Sequence, residues 1–422
     1  MIKYSIIIPV YKDINIAKNA LLSSARQWRP TDENKPHDWK LEVVIINDSP
    51  DVDMSSLVDT FNENKLYKDY ECKYYVMPSN QGEGNARKLG IYKSTGQYFF
   101  LMDMDDVFGP NVVNRCNEII IQNKGKQISM IEFPFTNFDF GYVGKIEAYS
   151  IWVQSKLYNK KFIMEHEIYS TDLSSRAGAD YNFITKLHGV ADYYDRVFKE
   201  TKNSEWTRII CNPETSYSWS YWFPSESQTR KCNYWGDWIC PITVLNGLDA
   251  VNYIRTFEEK HNENRREFWK HDIMNKACYN FINLHSVLRS FTVNEDFQKR
   301  VTNIDPISNE DNNVVFYKLF KDAFLGTSKM AREYIDEIWD IDINCIFAGV
   351  WERSDVHKCQ TWIDFRDYIK NAENFEIFNF ENCEQLIEYC KKNYSFDQNG
   401  YPLHAEQYKT FIKALEELKS KE

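Results

Sequence analysis

Tyr98-Phe99-Phe100-Leu101-Met102-Asp103-Met104-Asp105-Asp106 is the stretch on which the fold turns. Five β-prone apolar residues in a row read as a strand buried on both faces. Carboxylates follow at its C-terminal end. Alternate residues of an extended chain point the same way, so Asp103 and Asp105 can share one site. Acids that close repel each other unless a cation joins them. Hard oxygen ligands suit Mg²⁺ or Mn²⁺, which take phosphate oxygens as further ligands. The plain alternative is a solvated acidic turn in which Asp106 caps the next helix.

Upstream, the same texture recurs. Tyr4–Val10 and Leu41–Ile46 are continuous apolar runs, and Tyr74–Met77 is a shorter one. Ile14–Gln27, Val52–Asn62 and Gly84–Lys93 read as helices between them. This alternation predicts an α/β domain with an open, mostly parallel sheet covered on both faces. Ligands of such sheets sit beyond the carboxyl ends of the strands. The residues expected at that rim are Tyr11 and Asp13, Asn47 and Asp48, Asn80 and Gln81, and Asp103, Asp105 and Asp106.

The glycines of Asn80-Gln81-Gly82-Glu83-Gly84-Asn85-Ala86-Arg87 permit tight turns and close backbone approach. Arg87, on the first turns of a helix, can reach a phosphate or carboxylate with both arms. A helix-start loop with a surface arginine is the bland reading.

Past Pro241 helical periodicity takes over. Tyr408, Phe411, Ile412, Leu415 and Leu418 form an apolar stripe at helical spacing. Residues 241–422 carry 23 lysines and arginines against 31 acids, more than their share of a net charge of −11. We expect a boundary near 240, with domains 1–240 and 241–422. The overall charge argues against a generally basic nucleic-acid binder. Ten scattered cysteines with no C-x-x-C pair read as free thiols. No run approaches the 18 apolar residues of a membrane span. The expectation is a cytoplasmic protein.

Four segments together resemble the GT-A glycosyltransferases of family 2. They are Ile7-Ile8-Pro9-Val10-Tyr11, Ile45-Ile46-Asn47-Asp48-Ser49-Pro50-Asp51, Asn80-x-Gly82-x-x-x-Ala86-Arg87-x-x-Gly90 and Gly96-x-Tyr98-x-x-x-Met102-Asp103-x-Asp105-Asp106. They occur in family order. The resemblance is strong over 1–110, weaker to about 230 and not visible beyond 240. Asn47-Asp48-Ser49 is one residue shorter than the usual acidic turn, and Lys88 stands where an Asn is usual. The resemblance implies a Rossmann-like GT-A catalytic domain over 1–240, and the mainly helical C-terminal domain read from its periodicity is expected to serve acceptor binding or assembly.

The resemblance also implies roles. Pro9, Val10 and Tyr11 would line the nucleotide pocket, with Gly82 and Met104 also on the donor side. Asp48 would meet the base edge, and Arg87 would border the diphosphate. Asp103 would approach the ribose or metal, and Asp105 would ligate Mn²⁺ or Mg²⁺. Family members carry an acidic pair opening a helix beneath the acceptor. Gly178-Ala179-Asp180-Tyr181-Asn182-Phe183 fits that place, with Ala179 replacing the usual Glu. Asp180 is then the catalytic base, set against a reading as helix N-cap. Helix-start N–H groups would lower its pKa. Glu167 and Asp172 compete for the role.

Trp152 and Lys156-Leu157-Tyr158 resemble the family's Trp-x-Lys-Leu-Tyr segment and are read as packing. Tyr217, Trp219, Tyr221, Trp222, Phe223, Tyr234, Trp235 and Trp238 form an aromatic cluster suited to cores, interfaces or sugar stacking. Ser225–Arg230 would be a loop over the donor phosphates. His166 and His188 are candidate third metal ligands. The implied function is metal-dependent, inverting transfer of a sugar from a nucleotide-sugar, with UDP-sugar leading by analogy, to a hydroxyl of a saccharide or other acceptor. Rivals are glycosylation of hydroxymethylated DNA bases, using a patch at Arg265, Arg266, Lys270 and His271, and a nucleotide-sugar-binding pseudoenzyme. Nucleic acid enters only as an acceptor, and homo-oligomerisation is left open.

Overall fold

The computed structural model describes residues 1–30, 39–139, 142–146, 152–170, 179–211, 217–220, 239–261, 312–334 and 379–393. The chain divides into two compact units, Met1–Lys231 and Cys232–Glu422, against the boundary near 240 read from the sequence.

The first unit holds β1 (Ile2–Val10), α1 (Ile14–Ala25), β2 (Trp39–Asn47), α2 (Ser56–Asn64), β3 (Glu71–Val76), α3 (Gly82–Lys93) and β4 (Tyr98–Leu101). It continues through β5 (Val107–Phe108), α4 (Val112–Gln122), β6 (Gln127–Glu132), β7 (Phe135–Asp139) and β8 (Tyr142–Ile146). Last come β9 (Lys156–Asn159), α5 (Lys160–Glu165), α6 (Ala179–Thr201), β10 (Trp206–Ile210) and β11 (Tyr217–Ser220). Helix α2 starts later than expected because Val52 N–H closes a turn onto the Ser49 carbonyl at 2.9 Å.

Seven strands form one sheet in the order β10-β6-β9-β4-β1-β2-β3, and four form a second in the order β5-β11-β7-β8. In the large sheet β1 pairs in parallel with both β2 and β4, while β9 runs antiparallel to β4 and β6. The chain lays β1, β2 and β3 outward, then returns to place β4 on the other side of β1. Strand order therefore reverses between β1 and β4, which opens a crevice at their C-terminal ends.

Both faces of this sheet are covered, which is why its strands read as unbroken apolar runs. Ile6, Ile8, Val10, Val43 and Ile45 share one core with Ala17, Ala20 and Leu21 of α1 and with Val113 and Cys116 of α4. Each such aliphatic side chain contributes about 1.5–3 kcal/mol by leaving water. On the other face α3 comes so close that a methyl at Gly90 would run into the Ile7 side chain and touch Ile46.

A charged group sits within this sheet. Glu42 of β2 is fully buried. Its carboxylate accepts from Ser5 Oγ at 2.7 Å, Thr95 Oγ1 at 2.7 Å, Gly96 N at 3.2 Å and Lys73 Nζ at 2.6 Å, and from the Thr95 backbone N–H. Lys3 Nζ lies 3.2 Å away. The node ties β1, β2 and β3 to the turn that launches β4.

The second unit is helical where described: α7 (Ile239–Lys260), α8 (Asn312–Tyr334) and α9 (Cys383–Asn393). Val251 and Ile254 of α7 and Phe320 and Phe324 of α8 are buried. A Cβ on Gly326 would lie 2.8 Å from Leu248 Cδ1, so α7 and α8 meet closely there. Among the described residues no helix is long and apolar enough to cross a membrane. The stripe Tyr408–Leu418, Ser225–Arg230, Asp172, the basic patch at 265–271 and the aromatics from Tyr221 to Trp238 lie outside the described residues.

Candidate active site

The loops that leave the strands at the crevice are tied to one another. After β1 the chain makes a three-residue turn in which Asp13 N–H reaches the Tyr11 carbonyl at 2.7 Å. Lys12 at its centre has φ 57, a conformation few non-glycine residues adopt. Its N–H is held by Ser49 Oγ at 3.0 Å, in the loop after β2. The Tyr11 hydroxyl accepts from Asn80 Nδ2 at 3.1 Å, in the loop after β3. Tyr11 N–H meets Met104 Sδ, beyond β4, at 3.2 Å. Asp13 also caps α1, accepting from the N–H groups of Asn15 and Ile16.

Asp48 closes the next link. Its two carboxylate oxygens accept the N–H groups of Gln81 and Gly82, each at 2.8 Å. Gly82 has φ 79, which glycine adopts without strain. The carboxylate thus shapes the loop that opens α3, in addition to any contact with a base edge. Pro9 and Val10 are buried in β1, and the Val10 carbonyl accepts Asp48 N–H at 2.9 Å.

The charged centre is Arg87, whose side chain is only 4 % exposed. One guanidinium nitrogen donates to Asp180, and the other donates to Glu83 and, at 2.6 Å, to Asp103. Gln154 Nε2 holds the second Asp103 oxygen. Asp103 in turn belongs to a group with Asp105 and Asp106 whose ligand atoms lie within 4.8 Å of one another. Three carboxylates therefore meet one guanidinium, and two more crowd against Asp103. Burial, then the charge of Asp103, pushes the Asp105 carboxyl up to about 6. Strain of this kind is relieved by a cation. The donor set is all oxygen, which fits Mg²⁺ or Mn²⁺. Asp105 is better placed than Asp103 to be the chief ligand, since both Asp103 oxygens already accept hydrogen bonds.

Asp180 stands in the first turn of α6, inside the helix rather than capping it. The expectation that helix-start N–H groups lower its pKa is overturned. Burial raises it, and repulsion from Asp103 adds to that, against the pull of Arg87. Asp106 caps no helix either: it is buried, and α4 begins six residues later, after Asn111. Glu167 is exposed in the turn after α5. His166 packs its ring on Phe162 and Tyr194, and His188 bonds Glu132. Among the described residues the acidic group includes no histidine.

Two participants escaped the sequence reading. Glu83 lies four residues before Arg87, the spacing at which helical side chains meet, so it was findable. Gln154 lies inside the segment read as packing, and nothing in its neighbours distinguishes it. The pairing of Arg87 with Asp180 spans 93 residues and leaves no local trace.

Comparison with known proteins follows the same residues. The family model described as Glycosyl transferase family 2 matches residues 5–167. An uncharacterized glycosyltransferase of Rickettsia bellii is 37 % identical over 109 residues, 26 % of this chain and 14 % of that protein. One from Rickettsia conorii is 36 % identical over 106 residues, 25 % of this chain and 15 % of that protein. The chain thus spans about one seventh of the length of these curated relatives. Among solved structures, Staphylococcus aureus TarS aligns with 94 % of this chain and 56 % of its own, at 14 % identity and a TM-score of 0.46. Residues 5–167, which contain the parallel core of the sheet and the acidic group at its switch point, are therefore the part of the chain that is similar to glycosyl transferase family 2.

Proposed function

We propose that this protein is a metal-dependent, inverting glycosyltransferase that moves a sugar from a nucleotide-sugar, with UDP-sugar the leading donor, to a hydroxyl of a saccharide or other acceptor. The observation that carries this reading is the position of Arg87, which holds Asp180 on one side and Asp103 of the acidic group on the other. The donor-side carboxylates and the acceptor-side carboxylate are thereby set next to each other.

Asp105, with Asp103, would hold Mg²⁺ or Mn²⁺, which when bound supplies positive charge to the departing diphosphate. Tyr11, fixed from three loops, offers an aromatic face at the rim for a base. Gly82 and its loop bring backbone close to the donor. Asp180 removes the proton from the acceptor hydroxyl as its oxygen attacks the anomeric carbon. Arg87 binds Asp180 Oδ1, so Oδ2 receives that proton. A raised pKa makes Asp180 the stronger base. A single displacement inverts the anomeric centre. We assign acceptor choice or assembly to the helical unit, which lies outside the family match.

Titration calorimetry with UDP and with GDP, each with Mn²⁺ and with EDTA, tests the reading. Binding is expected only with the cation. Equal affinity under both conditions for both nucleotides would refute the metal role. Proton NMR of the product checks inversion, and retention of the donor's configuration would overturn the mechanism.

A further inference from the structure

Beneath the site lies a row of ionisable side chains that the reaction does not use. Glu132 ends β6 and is fully buried. Lys156 opens β9 and is 1 % exposed. The two are direct partners in the antiparallel ladder, so their side chains stand on the same face of the sheet. Helix α6 covers that face. Its Phe183 meets Tyr158 of β9 edge-on at 5.5 Å, and its His188 Nε2 lies 2.7 Å from Glu132 Oε1.

We propose that Glu132, Lys156 and His188 form a buried positioning row that fixes the rotation and depth of α6, and thereby aims Asp180 at Arg87. The role of Asp180 itself rests on the function proposed above.

Ionisable groups this deep are costly unless they satisfy one another, and an apolar trio would pack here at less cost. What apolar residues lack is direction. A helix that slips by one residue turns by about 100°, which an oily contact tolerates and a hydrogen bond does not. His188 and Glu132 supply that bond. Burial would raise the Glu132 pKa, but the hydrogen bond from His188, helped by the charges of Lys156 and Arg208, holds the carboxyl below its ordinary range. An ionised carboxylate only accepts, so His188 Nε2 carries the hydrogen. Glu132 Oε2 has no hydrogen-bond partner. It is compensated through space by Lys156, whose Nζ donates to the Trp152 carbonyl at 2.6 Å. Lys156 also feels Asp180, so the row runs from the middle of α6 back to its first turn. His188 lies eight residues past Asp180, about 12 Å along the helix.

The test uses the full chain and two variants. His188→Gln keeps an amide N–H able to reach Glu132, whereas His188→Asn is too short and is mild enough to fold. Hydrogen exchange is followed in residues 181–186 of α6 and in α2 as a reference. In His188→Asn, exchange in 181–186 is expected to quicken about tenfold, the effect of losing a hydrogen bond to a charged group. His188→Gln should stay within about twofold of wild type, and α2 should not change in either. In parallel, turnover of UDP-GlcNAc with Mn²⁺ is read as UDP release, with KM for the donor unchanged and kcat lowered only in His188→Asn. Unchanged exchange in 181–186 of His188→Asn, or equal quickening in α2, overturns the proposal. Failure of wild-type protein to bind UDP with Mn²⁺ would instead count against the glycosyltransferase reading and leave the exchange result standing.

Discussion

Replacing Glu42 with Gln should cost the sheet several kcal/mol at neutral pH and much less in acid. Burial alone would raise the Glu42 pKa, yet the hydrogen bonds from Lys73, Thr95 and Ser5 win and carry it from an ordinary 4.5 to about 2. That gap corresponds to about 3 kcal/mol favouring the ionised, folded form. A glutamine keeps the shape but must turn an NH₂ toward a site furnished only with donors, so a total cost of about 3–5 kcal/mol is expected at pH 7. The sign of the pH effect follows from the lowered pKa. The stabilisation is complete above the unfolded value of 4.5 and is lost as pH falls toward 2. At pH 3 about 2 kcal/mol of it is gone. Urea titrations of wild type and Glu42→Gln at pH 7 and pH 3 measure the difference directly, because the other acids contribute equally to both. A difference that does not change between the two pH values would refute the account of the node. A difference that grows in acid would reverse it.

Asp105→Ala should leave the melting temperature near or above wild type, since it removes a carboxylate from a crowd, while UDP binding loses its response to EDTA. Asp180→Asn should bind UDP with Mn²⁺ normally and lose about 10²–10⁴-fold in kcat, the usual contribution of a general base; full activity would remove it from that role. Arg87→Lys keeps the charge but cannot span Asp103 and Asp180 at once, so both nucleotide affinity and turnover should fall, as calorimetry and initial rates would show. Gly90→Ala pushes α3 off Ile7 and should destabilise by about 1–3 kcal/mol in urea titration, with the acidic group's nucleotide affinity weakened in step.

The parallel half of the sheet was legible because its strands are buried on both faces and therefore continuous in hydrophobicity. β1, β2 and β4 lie where Ile6-Ile7-Ile8, Val43-Val44-Ile45 and Phe99-Phe100-Leu101 place them. The strand β9 was not legible. It is four residues long, opens with Lys156 and closes with Asn159, and it runs against its neighbours. Nothing in Lys156-Leu157-Tyr158-Asn159 announces that its lysine is buried with its leucine and tyrosine. The strands of the small sheet are equally short and borrow their partners from distant segments. At the site, the separate acids and Arg87 were readable as chemistry, whereas their alliances were not. Those are made across 16 and 93 residues of chain. The fate of Asp48 was hidden for a similar reason: its oxygens serve a loop that begins 33 residues later.

The order in which Arg87 acquires its partners has a consequence for synthesis. Chains emerge N-terminus first at about 5–20 residues per second, so Asp180 follows Arg87 from the ribosome after roughly 5–20 s. Through that interval β1–β4 can close, Glu83 is already one helical turn away, and Asp103 arrives within about 1–3 s. The guanidinium is therefore neutralised early by carboxylates of its own half. When α6 docks, Asp180 meets a cation whose orientation is already set. Glu83 thus acts as an escort for a buried charge during folding, whatever it does once the fold is complete. Its removal should show first as a lower yield of native protein from fast translation, and only afterwards in the purified molecule.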